Sequence, residues 1–120
     1  DYHENFEELY KKFDIFLLTS SSGEAFPNVL IEALSSGIPC ISTNIGDSEI
    51  IIQDNGFVFE PTDINNFVDK IIYYNNIRLK NLQTWEANKI KCREHVLKNY
   101  GIIKIVNLYE NEWLSAGFFN

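Results

Sequence analysis

Two glutamates, Glu24 and Glu32, are separated by seven residues and bracket the densest set of helix signals in the chain. Pro27 suits the first position of a helix, where no backbone N–H is needed. Gly37 can take the left-handed conformation that ends a helix, and Pro39 stops it from resuming. The spacing therefore predicts a helix from about Pro27 to Ser36. Val29, Leu30, Ile31, Ala33 and Leu34 make that helix apolar on more than one face, as in a helix packed on a sheet. A carboxylate in such company is costly to bury without a partner, so Glu32 is expected to look into a polar cleft. Glu24 falls just before the helix. The loop with Glu24, Ala25 and Phe26, and the first-turn N–H groups of Asn28, Val29 and Leu30, together form a seat for an anionic ligand, framed by the two glutamates.

The flanking stretches read as the elements that hold this seat. Phe6, Leu9, Tyr10 and Phe13 recur at helical spacing, so residues 5–12 read as a short amphipathic helix. Asp14 to Thr19 is an apolar run opening into Ser20-Ser21-Ser22-Gly23, as expected of a parallel strand buried on both faces. A second strand is expected from Pro39 to Thr43. The resulting strand–loop–helix–strand unit is a βαβ crossover, in which ligands bind at the carboxyl ends of the strands. A helical turn is expected after Asp47, a third strand over Gly56-Phe57-Val58-Phe59, and a helix capped by Asp63 or Thr62 with Phe67, Val68, Ile71 and Ile72 inward. Residues 77–97 read as polar and helical, touched intermittently by Leu79, Leu82, Trp85, Ile90 and Val96. Gly101 interrupts them, and a last helix from Ile102 to about Leu114 carries Ile102, Val106, Tyr109 and Trp113 on one stripe. The fold class is α/β with a Rossmann-like parallel sheet. Residues 1–76 are expected to form part of a Rossmann-like domain, and residues 77–120 to be helices packing on it.

Composition narrows the function. With 120 residues, 45% of them hydrophobic, the chain can bury one core, and no apolar run approaches the roughly 20 residues of a membrane span. A net charge of −7 argues against nucleic acid as a partner. No Lys or Arg lies between Phe13 and Asp69, so a bound anion near Glu24 would meet backbone N–H groups and no local cation. No His, Cys or acidic cluster has metal-ligand spacing, so no metal is expected. His3 and His95 lie in polar stretches, are expected to be exposed, and are not read as catalytic. Cys40 and Cys92 read as two unreactive thiols in a reducing compartment.

Gly-Glu-Ala-Phe-Pro-Asn-Val-Leu-Ile-Glu-Ala-Leu-Ser-Ser-Gly-Ile-Pro, residues 23–39, resembles the E-x7-E motif of retaining GT-B glycosyltransferases of group 1, the family 4 type. The resemblance covers roughly Phe6 to Ile72 and is carried also by Phe26-Pro27-Asn28, Ala33, Gly37 and Pro39. It implies that the chain is the later part of the second, donor-binding domain, that residues 1–76 bind a nucleotide sugar and that the helices of residues 77–120 cross back from them. The first Rossmann domain, which holds most of the acceptor site, and the basic pair that binds the donor diphosphate would lie before Asp1. By the same resemblance Glu32 would accept hydrogen bonds from the donor ribose, and Glu24, the catalytic residue, would hold the sugar hydroxyls near the anomeric carbon. Ala25, Phe26, Asn28, Val29 and Leu30 would complete the donor site.

The implied reaction moves a hexosyl group from a nucleotide diphosphate sugar to a glycan or lipid-linked acceptor, with no cofactor beyond the donor. Gly46-Asp47-Ser48 resembles a subgroup that builds surface polysaccharides. Many family members carry Gly-Gly with a Glu three residues on. Here Asp47 and Ile50 occupy the second Gly and the Glu positions, so Asp47 and Glu49 are assigned no contact. The expected location is the cytoplasm, with a peripheral place at the inner face of the membrane as one form of it. The fragment alone is expected to be inactive. Two other readings remain: a non-catalytic nucleotide- or phosphosugar-binding module, which turnover of the whole protein would exclude, and a phosphorylase or synthase using another sugar phosphate. For the glutamates themselves the bland alternative is a pair of solvated acids at a helix start, where acids are favoured.

Overall fold

A computed structural model describes residues 6–23, 25–104, 106–107 and 111. The chain order is α1 (Phe6–Tyr10), β1 (Phe16–Leu18), α2 (Asn28–Ser35), β2 (Cys40–Thr43), α3 (Ser48–Ile52), a 3-10 turn (Gln53–Asn55), β3 (Gly56–Phe59), α4 (Ile64–Lys80) and α5 (Leu82–Tyr100). The strands form one parallel sheet in the order β1-β2-β3, with Phe16 opposite Cys40 and Cys40 opposite Gly56. The α/β, Rossmann-like expectation is met.

Alternation along β2 divides the core in two. Cys40 joins Tyr10, Leu30, Ala33, Leu34, Ile51 and Ile52 on one face, while Ile41 joins Tyr74 and Trp85 on the other. Helices α1, α2 and α3 cover the first face and α4 the second. α5 contributes to both, with Trp85 on the second face and Cys92 and Val96 on the first. Position 76 lies inside α4, and α5 packs directly on α2.

α2 ends in a Schellman motif. Gly37 sits at φ +76, its N–H donates to Leu34 O at 2.9 Å, and Ile38 N–H donates to Ala33 O at 3.0 Å. Its start differs from expectation. Pro27, at φ −77 and ψ 90, is the extended residue before the helix rather than its first member, and its carbonyl accepts the Leu30 N–H at 3.1 Å.

Four further expectations are corrected. β1 is not buried on both faces: Leu17 alternates to the face opposite Phe16 and Leu18, joins neither core cluster and is 43% exposed. On α4 the inward stripe is Phe67, Ile71, Tyr74 and Ile77, whereas Val68 and Ile72 point outward, because the helical period follows Tyr74, which anchors the stripe against Trp85. The polar helical stretch is not continuous from Ile77. It breaks at Asn81, whose Oδ1 accepts the Thr84 N–H at 3.1 Å and so caps α5. Along it Trp85, Cys92 and Val96 are buried, and Leu79, Leu82 and Ile90 are exposed. Beyond Gly101, residues 102–104, 106–107 and 111 are helical; Tyr109 and Trp113 lie outside the described residues.

Candidate functional site

The loop after β1 is tied down at both ends. Near its start, Thr43 at the carboxyl end of β2 donates its hydroxyl to Ser20 O at 2.5 Å, with Leu18 O at 3.3 Å. Near its end, Asp47 donates its N–H to Ala25 O at 2.9 Å. Gly23 turns the chain at φ +99, a conformation that side chains disfavour. Glu24 lies outside the described residues, between Gly23 and Ala25. Phe26 is exposed, and its ring meets the edge of Tyr100 at 6.4 Å between centroids.

The first turn of α2 opens beside this loop, and the seat is narrower than the sequence implied. Among the described residues nothing accepts the N–H groups of Asn28 and Val29, whereas Leu30 is spent: its N–H is held by Pro27 O and its side chain is fully buried. Early closure of the turn over Pro27 is the physical reason. Two backbone donors at a helix start remain to meet an anion, helped by the helix dipole.

Glu32 lies one turn further along α2. Its side chain is exposed rather than buried. It has a definite partner: the Tyr10 hydroxyl donates to Glu32 Oε2 at 2.9 Å. Burial, followed by the Glu32 hydrogen bond and charge, pushes the Tyr10 phenol up to about 12. The hydroxyl thus keeps its proton and acts as a hydrogen-bond donor across the neutral range.

Other groups expected in or near the site are placed as follows. Asp47 stands close enough to Tyr100 that, after burial, its charge helps to raise that phenol. His95 is half-buried rather than exposed: its Nε2 lies 2.7 Å from Ile51 O, and its Nδ1 lies 3.0 Å from Asn99 Nδ2. That makes it a brace between α5 and α3. A polar recess of about 350 Å3, lined by Asp54, Asn88 and Lys91, opens at the amino ends of β2 and β3, opposite the glutamate loop. Among the described residues no group of three His, Cys, Asp or Glu side chains could hold a metal. No described helix is long and apolar enough to cross a membrane.

Sequence reasoning missed Tyr10 and Thr43. Tyr10 was legible only as one apolar member of a helical stripe, and Thr43 only as a strand end. Neither carries a local signal for its partner, which lies 22 or more residues away in the chain.

A short parallel sheet, with a helix N-terminus and a fastened loop at the carboxyl end of its edge strand, defines a Rossmann-like α/β domain. The chain belongs to the glycosyl transferases of group 1: residues 1–91 match that family's model. It is 34% identical over 109 residues to the N-acetyl-alpha-D-glucosaminyl L-malate synthase of Bacillus anthracis, covering 89% of this chain and 27% of that protein. It is 28% identical over 101 residues to the UDP-Gal:alpha-D-GlcNAc-diphosphoundecaprenol alpha-1,3-galactosyltransferase of Escherichia coli, covering 82% of this chain and 24% of that protein. With the lipopolysaccharide 1,6-galactosyltransferase of Escherichia coli K12 it shares 49% identity over 61 residues, 48% of this chain and 17% of that one. The chain thus spans about a quarter of the first two relatives.

Proposed function

We propose that this chain is the donor-binding part of a retaining GT-B glycosyltransferase of the family 4 type, which moves a hexosyl group from a nucleotide diphosphate sugar to a glycan or lipid-linked acceptor. The observation that carries the reading is the start of α2, where Asn28 and Val29 offer backbone N–H groups beside the fastened loop, with Glu32 one turn on. Glu32 accepts hydrogen bonds from the ribose hydroxyls, and Glu24 holds the sugar near its anomeric carbon. Ala25 and Phe26 shape the loop around the donor. The two N–H groups face the departing diphosphate, whose charge grows in the transition state.

Residues 1–76 carry these groups, and residues 77–120 brace them and cross back toward an N-terminal Rossmann domain of the same protein. That domain supplies the acceptor site, and the cations absent between Phe13 and Asp69 come from a separate basic pair outside this chain. The reaction needs neither metal nor cofactor beyond the donor. Two relatives named for a diphosphoundecaprenol-linked and a lipopolysaccharide substrate support a role in cell-surface polysaccharide synthesis, at the cytoplasmic side of the membrane.

The two glutamates are separable by experiment. Replacing Glu32 with Ala removes charge-assisted hydrogen bonds of roughly 1.5–3 kcal/mol each, so affinity should fall for both the sugar donor and the free nucleotide diphosphate. Glu24→Ala should leave nucleotide affinity nearly intact and lower turnover, because that contact strengthens in the transition state. Calorimetric titration of both full-length variants, beside initial rates, reads the difference. Equal losses of nucleotide affinity would reverse the assignment, and no loss in either variant would return both residues to solvated helix-start acids. Turnover by residues 1–120 alone would refute the two-domain reading.

A further inference from the structure

Glu32 stands on an exposed helical surface, where a free glutamate samples several rotamers. Tyr10 does not: its ring is buried in the core, edge-on to Phe13 at 6.0 Å and tilted against Phe16 at 6.2 Å. Its hydroxyl is therefore a fixed point, and it donates to Glu32 Oε2 at 2.9 Å. An ionised carboxylate is acceptor-only with about four lone-pair sites, so one bond from Tyr10 leaves the rest free while restraining one oxygen of the group.

We propose that Tyr10 is the positioning residue that orients the Glu32 carboxylate for a vicinal diol, so that the site selects ribonucleoside over 2′-deoxyribonucleoside diphosphates. The proposal rests on the assignment of Glu32 to the donor ribose. A fixed carboxylate accepts both ribose hydroxyls at once, and a ligand lacking the 2′-hydroxyl leaves one acceptor direction unmet. A carboxylate freed from Tyr10 must be ordered by the ligand itself, which erodes the advantage of the second hydroxyl. The competing account is that a phenol at the edge of a core takes the nearest acceptor, with no consequence for the ligand.

The test uses the full-length protein, its Tyr10→Phe variant and its Glu32→Ala variant. Each is titrated calorimetrically with UDP, ADP and GDP and with their 2′-deoxy counterparts. The readout is the ratio of ribo- to deoxyribonucleotide affinity for the pair that the parent binds best. Both ligands meet the same preparation, so the ratio does not depend on how much of it is folded. Tyr10→Phe is expected to weaken ribonucleotide binding by about threefold to tenfold, while deoxyribonucleotide binding stays within about twofold. The donor KM should rise with kcat retained. Equal weakening of both ligands, no change, or tighter binding would overturn the proposal. Glu32→Ala is the control for the underlying assignment: if it leaves ribonucleotide affinity unchanged, the ribose site itself is misplaced. If it weakens binding while the Tyr10→Phe ratio holds, only the role of Tyr10 falls.

Discussion

Asp47 donates its backbone N–H to the carbonyl oxygen of Ala25 at 2.9 Å, so the loop after β2 is fastened to the glutamate loop after β1. Thr43 makes a second fastening through Ser20 O. The two loops therefore form one surface at the carboxyl end of the sheet, and the start of α2 inherits its position from both.

Removing the side-chain fastening should loosen the first loop without unfolding the domain. Thr43→Val keeps the shape of a side chain that is 5% exposed but leaves Ser20 O without its donor, at a cost of about 1–2 kcal/mol. Chemical denaturation should show that loss, and amide exchange at Gly23 and Ala25 should quicken. Unchanged exchange at those amides would show that the loop holds its place without Thr43.

Gly56 opposes Cys40 across the β2–β3 ladder, and a Cβ built there would overlap the Cys40 carbonyl oxygen. Backbone cannot retreat as a flexible side chain does. Gly56→Ala should therefore cost about 3 kcal/mol or more, at the upper end of overpacking effects. A thermal midpoint within a degree or two of the parent would mean that the strands can part at this point.

Alkaline stability should depend on the two buried thiols, which are free. Burial pushes Cys40 well above its ordinary range, and pushes Cys92 from 9.0 up to about 11 against the opposing pull of Lys91 and Arg93. Between those values the unfolded chain releases the Cys92 proton first and so binds fewer protons than the folded one. Stability is then complete below about pH 9 and falls as pH rises toward 11. Urea midpoints should drop across that window, and Cys92→Ala should flatten the slope. A midpoint that is constant from pH 8 to 11 would contradict the burial of both thiols.

Much of the fold could be read along the chain, because the signals that start and stop its elements are local. Gly37 and Pro39 end α2 where their backbone preferences require, the apolar run at residues 39–43 became the central strand, and Asn55-Gly56 marks the turn into β3. The break at Asn81 also had a local signal, an Asn three residues before Thr84, which the polar helical pattern on both sides obscured. Family membership was legible for the same reason, since the residues that carry it lie within one 17-residue stretch, 23–39.

What the chain order could not supply is which groups meet. The facing stripe of α4 was decided by the packing of Tyr74 against Trp85, which outweighed the equally apolar Val68 and Ile72. The N–H of Leu30 was withdrawn from the anion seat by Pro27, whose ψ depends on the path of the incoming loop. Glu32 gained Tyr10, and the glutamate loop gained Thr43 and Asp47, through contacts more than 20 residues apart in sequence. Propensity and spacing act over a turn or two of chain, whereas a hydrogen bond between distant residues exists only after burial of the sheet faces has brought their elements together.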